Sequence, residues 1–185
     1  TGSQLILTGS GSTDMLHLRG KILSVRVTGG SGSVAIESTT ATTTSSGVTE
    51  VTSLSVLGAQ SSTTISVEPA VSGLTTLDVD SGTTSMSCVC TTANVMGGTL
   101  NLVGTGAVTT LEVLGNGRMS NTGTSNITTL NMYGGVSSFS DNTTDGVVVT
   151  NCTLNGGLLD MSTSLQNITF TNNVVVNIGS TTSRS

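Results

Sequence analysis

Charge, aromatic rings and helix-forming residues are what this sequence has least of. Charged residues make up 8% of its 185 residues and aromatic residues 2%; Trp is absent, and Pro and His occur once each. Lys, Glu, Gln and Arg, whose unbranched side chains lose little on entering a helix, are nearly missing, so a helical domain is not expected. Five Lys and Arg against ten Asp and Glu leave a net charge of −5. Such a chain has no cation cluster with which to displace counterions, so no nucleic-acid binding is expected. No run of about 18 apolar residues occurs, so no membrane-spanning helix is expected. The start, Thr1-Gly2-Ser3-Gln4, shows no basic region followed by an apolar stretch, hence no visible signal peptide. Three Cys are too few, and odd in number, for a disulfide framework. Cys88 and Cys90 stand two apart, on one side of a strand, where a bridge between them would be strained. Together with Cys152 they read as reduced core residues.

What is present in quantity is Thr, Ser, Gly and Asn, with Val, Leu, Ile, Met and Ala between them. A hydrophobic content of 35% sets the chain apart from a disordered one. β-branched residues favour strands, and Gly, Asn and Ser favour turns, so the composition describes many short strands joined by tight turns. The length admits one domain with a short appendage.

The order of the residues carries more. Ile127-Thr-Thr-Leu130-Asn-Met132-Tyr-Gly134-Gly135-Val136-Ser-Ser-Phe139 aligns with Val149-Thr-Asn-Cys152-Thr-Leu154-Asn-Gly156-Gly157-Leu158-Leu-Asp-Met161, apolar on apolar and Gly pair on Gly pair. Shorter copies are Val51-Thr-Ser-Leu54-Ser-Val56, Leu74-Thr-Thr-Leu77-Asp-Val79, Val108-Thr-Thr-Leu111-Glu-Val113 and Leu165-Gln-Asn-Ile168-Thr-Phe170. The six copies thus open at Val51, Leu74, Val108, Ile127, Val149 and Leu165, an elastic period of the kind that marks solenoids and propellers. No helix-compatible stretch supports a leucine-rich repeat, and no aromatic signature supports a propeller blade. Within each copy apolar and polar residues alternate as in a strand with one buried face, and Gly or Asn then breaks it. The expected fold is therefore all-β: a single-stranded parallel β-helix, or solenoid, with coils of about 22 residues. Thr, Ser and Asn stacked coil on coil would give a polar exterior without like charges in register.

These repeats, poor in charge and built on Thr-Thr-Leu-x-Val and Gly-Gly elements, resemble the right-handed parallel β-helix proteins of virion surfaces: phage capsid decoration proteins, tail spikes and fibres. They are also similar to bacterial surface adhesins. The resemblance spans about residues 48 to 178 and is one of composition and period. It implies a rigid, protease-resistant rod or knob on a virion surface, assembled in the host cytoplasm. It further implies a homo-oligomer, a trimer foremost, partnered by the major capsid protein or another virion protein.

Residues 1–28 lack the Thr-Thr-Leu element and are expected to form an N-terminal cap or docking segment, with residues 29–185 as the β-helix domain. Arg19, Lys21 and Arg26 are three of the five basic residues and lie beside His17. They read either as the solvated face of a cap covering the first coil's open edge or as a contact to an acidic or backbone-rich partner; as a site they are docking residues. Gly29-Gly-Ser-Gly32 follows as a corner, and residues 38–46, almost all Thr and Ser, as an extruded loop.

No catalytic constellation is evident. His17 has no Cys or Ser motif to pair with, Cys88, Cys90, Cys152 and His17 lack zinc-ligand spacing, and the Gly-rich pieces lack the Lys of a phosphate loop. Asp78, Asp80 and Glu112 fall on the outward side of strands. A glycan lyase or hydrolase would need them at a defined separation beside a base such as Arg118, with an aromatic platform. Tyr133, Phe139 and Phe170 are the whole aromatic supply, so these carboxylates read as a solvated face. Asn126, Asn142, Asn151 and Asn167 match the glycosylation pattern in a chain where Asn and Thr are common. The Thr-rich stretch Thr40–Thr44 is a weak match to an ice-binding array. The expectation is thus a structural, non-enzymatic virion protein without cofactor or metal, a capsid decoration (cement) or fibre component binding the capsid or its own copies. A bacterial adhesin passenger domain, or a small polysaccharide lyase or hydrolase, is the alternative.

Overall fold

A computed structural model of the chain describes residues 3–8, 15–37, 49–60, 62–139, 146–162, 168–177 and 181–183. The regular elements among them are strands. The first six are β1 (Gln4–Thr8), β2 (Met15–Leu18), β3 (Lys21–Gly29), β4 (Ser33–Ile36), β5 (Glu50–Val56) and β6 (Thr64–Val67). β7 (Thr76–Val79), β8 (Thr83–Met86), β9 (Cys90–Val95), β10 (Thr99–Leu102), β11 (Val108–Val113) and β12 (Arg118–Asn121) follow. The chain continues through the long β13 (Ile127–Ser138) and β14 (Val148–Asp160) to the short β15 (Thr169–Phe170), β16 (Val174–Val176) and β17 (Thr181–Ser183).

Every pairing is parallel, and the pairings define two stacks of a β-solenoid with roughly 20 residues per turn. One stack runs β1, β3, β5, β7, β9, β11, the first half of β13, the first half of β14, then β15 and β16. The other runs β2, β4, β6, β8, β10, β12, the second halves of β13 and β14, then β17. In the first stack Leu5, Val25, Leu54, Leu77, Ala93, Leu111, Leu130, Cys152 and Val174 lie one over the next, and Leu7, Val27, Val56, Val79, Val95, Val113, Met132, Leu154 and Val176 form a second column two residues on. Apart from the partly covered residues at the two ends, both columns are buried and form the core. Side chains alternate across each strand, so the residue between the two columns faces outward at every level.

The register explains the elastic period. Along the first column the step is longest from Val25 to Leu54 and shortest from Leu77 to Ala93, while the strand cores stay in line throughout. Corners between strands absorb the difference, since loop length costs little compared with a slipped register. The wide interval between Leu74 and Val108 in the sequence pattern hides a further coil, Cys90-Thr-Thr-Ala93-Asn-Val95, whose small Cys and Ala carry little apolar signal yet are fully buried. The last copy is also shifted: Phe170, rather than Leu165, lies over Val149, and Val174 rather than Ile168 lies over Cys152. Residues 1–28 supply β1, β2 and most of β3, which stack in register as the first coils. The Ser/Thr stretch 38–46, with Thr40–Thr44 inside it, lies outside the described residues, as do Asn142 and Asn167.

Candidate docking end

At the N-terminal side of the described residues the first strands have one neighbour each. β1 pairs with β3 and β2 with β4, and among the described residues nothing pairs with their outer edges. That edge carries apolar side chains on its outside as well as its inside. Leu5 and Leu7 are half-buried members of the core columns, and Leu16, 42% exposed, is the first member of the inner column that continues through Val34 and Ile65; on the outside Ile6 is 51% exposed and Met15 59%. Ile6, Leu7, Leu16, Val27 and Val34 line an apolar groove of about 310 Å³ floored by glycine backbone. The unbroken run Leu5-Ile6-Leu7 is the sequence signal for this edge, since a coil with one wet face has no use for an apolar residue between two inward ones.

The basic residues sit just behind it. Both Nε and Nη2 of Arg19 donate to Oε2 of Glu37, at 3.2 and 2.8 Å, and His17 Nδ1 lies 2.6 Å from the other carboxylate oxygen. Lys21 Nζ is 2.7 Å from Glu50 Oε2. The hydrogen bonds from Arg19 and then His17 hold the Glu37 carboxyl below its ordinary value of 4.5, and the bond to Glu50 raises Lys21 above 10.5. Thr49 fixes this corner: its hydroxyl donates to the Glu37 carbonyl and accepts from Gly20 N–H at 3.1 Å. Gly20 has φ of 107°, a backbone shape that L side chains rarely adopt, so glycine is needed at the turn between β2 and β3. Arg26 points outward from β3, in register between Ile6 and Ser55, and makes no ion pair among the described residues. Two of the three basic residues are thus neutralised within the chain, and Arg26 is the one whose charge stands beside the apolar edge.

The outward carboxylates are not gathered into a pocket. Asp78 lies in the outer column in register with Ser55 and Asn94. Ser55 Oγ donates to its Oδ2 at 3.3 Å and Asn94 Nδ2 to its Oδ1 at 2.8 Å. Glu112 lies one further level along, beyond Asn94, which places it roughly 9–10 Å from Asp78 at about 4.8 Å per level. Asp80 lies beyond the end of β7, and its backbone N–H donates to the Val56 carbonyl. Of the aromatic residues, Tyr133 is exposed, Phe139 is buried and Phe170 packs on the core. The geometry makes Asp78 a member of a hydrogen-bonded outer ladder. Cys88, Cys90 and Cys152 are free and buried. No group of three or more His, Cys, Asp or Glu that could hold a metal ion occurs among the described residues. Asn126 is exposed and its Oδ1 accepts from Val148 N–H, while Asn151 is exposed on β14.

Beside the outer ladder runs a column of threonines, the first Thr of the repeated Thr-Thr-Leu element. Thr52, Thr75, Thr91, Thr109, Thr128, Thr150 and Thr171 each follow the inward residue that opens their coil. Comparison with known proteins finds no matching family model, no matching curated protein and no matching solved structure.

Proposed function

We propose that this chain is a structural, non-enzymatic rod of a virion surface, a capsid decoration or cement protein or a fibre component, that docks through its N-terminal end. The observation that carries the reading is the apolar edge of β1 and β2, unpaired among the described residues, with Arg26 beside it. A long open edge exposed to water invites pairing with another chain, so an edge left apolar is one that a partner covers. The virion as the site of docking follows from the resemblance of the repeats, as does a trimer. Purified particles should carry ordered copies of the chain, and the smallest species it forms in dilute solution should have the mass of a trimer. A stable monomer absent from every particle overturns the proposal, and secretion with binding to host cells in the absence of virus selects the adhesin alternative.

The threonine column favours a second reading, a face that meets a regular surface such as ice, because hydroxyl and methyl groups repeat there on seven successive coils from Thr52 to Thr171. Inhibition of ice growth by the purified protein, lost in Thr109→Tyr, would select it. Wild-type protein without effect on ice growth excludes it.

A further inference from the structure

We propose that the chain stacks head to tail on a second copy of itself, the last described coil of one copy forming a parallel ladder with the first coil of the next. The argument starts from the outer column between the two core columns of the first stack. Its members are Ile6, Arg26, Ser55, Asp78, Asn94, Glu112, Asn131, Thr153 and Val175. Every position inside the stack is polar, and the two end positions alone are apolar. Ile6 is 51% exposed and Val175 49%. In this column the alternation that keeps the outward position polar is broken at the first and last described levels and nowhere between.

The two ends also match in register. Among the described residues β16 pairs with β14 alone and β1 with β3 alone, so each offers a row of unpaired N–H and C=O groups. Laying β16 against β1 at the solenoid's own register sets Val174 over Leu5, Val175 over Ile6 and Val176 over Leu7. Inner residues then meet inner residues, and the two exposed outer residues cover each other. The neighbouring column agrees. Asn172 Nδ2 donates to Asn151 Oδ1 at 2.6 Å, and Asn177 donates likewise to Asn155, so amide ladders run up to the last coil. In the column of Asn151 and Asn172 the first coil offers the exposed amide of Gln4. Amide stacks on amide, and aliphatic on aliphatic, without any charge being buried. The contact is heterologous and does not close, so its product is a filament of the same cross-section as the molecule.

This rests on the docking role of the N-terminal edge: the copy nearest an assembly uses that edge on its partner, and each further copy uses it on the coil below. The test uses the purified full chain alone, so failure here leaves attachment to particles to be judged separately. Sedimentation across a concentration series should show growing species, seen as rods of constant width by electron microscopy. Ile6→Lys and Val175→Asp should each keep the wild-type circular dichroism and melting temperature, because both side chains are half exposed in the single copy. Each should raise the concentration of half-assembly by on the order of tenfold or more. Mixing the two variants should restore growth, because the acidic end of one then meets the basic end of the other and the remaining ends are wild-type. A wild-type chain of constant mass at all concentrations overturns the proposal. So does assembly that neither variant weakens, or a mixture no better than its components.

Discussion

Cys88, Cys90 and Cys152 lie inside the solenoid, and loss of water there pushes their thiols up to about 11, about 12 and about 11. For Cys90 the neighbouring Cys88 adds to the effect of burial. At pH 8 roughly one thiol in a thousand would be ionised for a group near 11, and the thiolate is the species that reacts. Iodoacetamide at pH 8 is therefore expected to leave the native chain unlabelled and to add three groups in denaturant, counted by mass. Labelling of the native chain at the rate of a free cysteine would show the interior to be open. Thr84 is the inner residue between Ile65 and Leu100, buried, with its hydroxyl unpartnered. Removing that hydroxyl while keeping the shape, in Thr84→Val, should stabilise the fold by about 1 kcal/mol, read as a higher denaturation midpoint at unchanged slope. The alternation of inward and outward residues is legible in the sequence wherever Leu, Val or Ile takes the inward place. It is not legible at Cys90 and Ala93, where small side chains fill the coil with the shortest step in the first stack.

At the scale of strands and corners, glycine marks where one coil presses on the next. A Cβ added at Gly106 would stand 2.1 Å from the Cys88 carbonyl oxygen, a backbone atom that cannot swing aside, whereas one at Gly29 would meet nothing within 4 Å. Gly106→Ala should cost on the order of 1–3 kcal/mol through forced separation of the coils, and Gly29→Ala should be close to neutral, both by chemical denaturation. The turn after β2 responds to acid. Glu37 titrates below 4.5 when folded because Arg19 and His17 donate to it. Its contribution is therefore complete above pH 4.5 and is lost as pH falls through the lower folded value. In Glu37→Gln the dependence of melting temperature on pH in that window should flatten, by a small amount that salt reduces further, since the cluster is exposed. The strands of this segment can be read from Ile22-Leu23-Ser-Val25-Arg-Val27, but their membership of the solenoid cannot, because Ser24 and Val25 stand where later coils carry Thr and Leu. Charge singles out Arg19, Lys21 and Arg26 in the sequence. The pairing of Arg19 with Glu37 and of Lys21 with Glu50 joins residues from separate strands and turns, which spacing alone does not bring together.

As a whole the molecule is close to one-dimensional: each coil touches the coil above and the coil below, and stability is a sum of neighbouring terms. End coils have one neighbour and central coils two. Amide exchange is accordingly expected to be slowest in β7 to β12 and fastest in β1, β2, β15 and β16, with a graded rather than uniform profile. Uniform protection from end to end would mean that the ends are covered under the conditions of measurement. The overall architecture is readable in the sequence because a period repeated many times survives the loss of one copy. The apolar outward residues Ile6 and Val175 are not, because a period says nothing about which level departs from it.

Adjacent coils are interchangeable in register. Val108–Val113 and Ile127–Met132 occupy successive levels, inner residue on inner residue, although the corners between them differ in length from their neighbours'. Exchange between two such segments of the gene removes or adds one whole turn and rejoins the chain with its inside still inside. Length is thus the trait that recombination can alter in this molecule while leaving its cross-section, its surface chemistry and both of its ends unchanged.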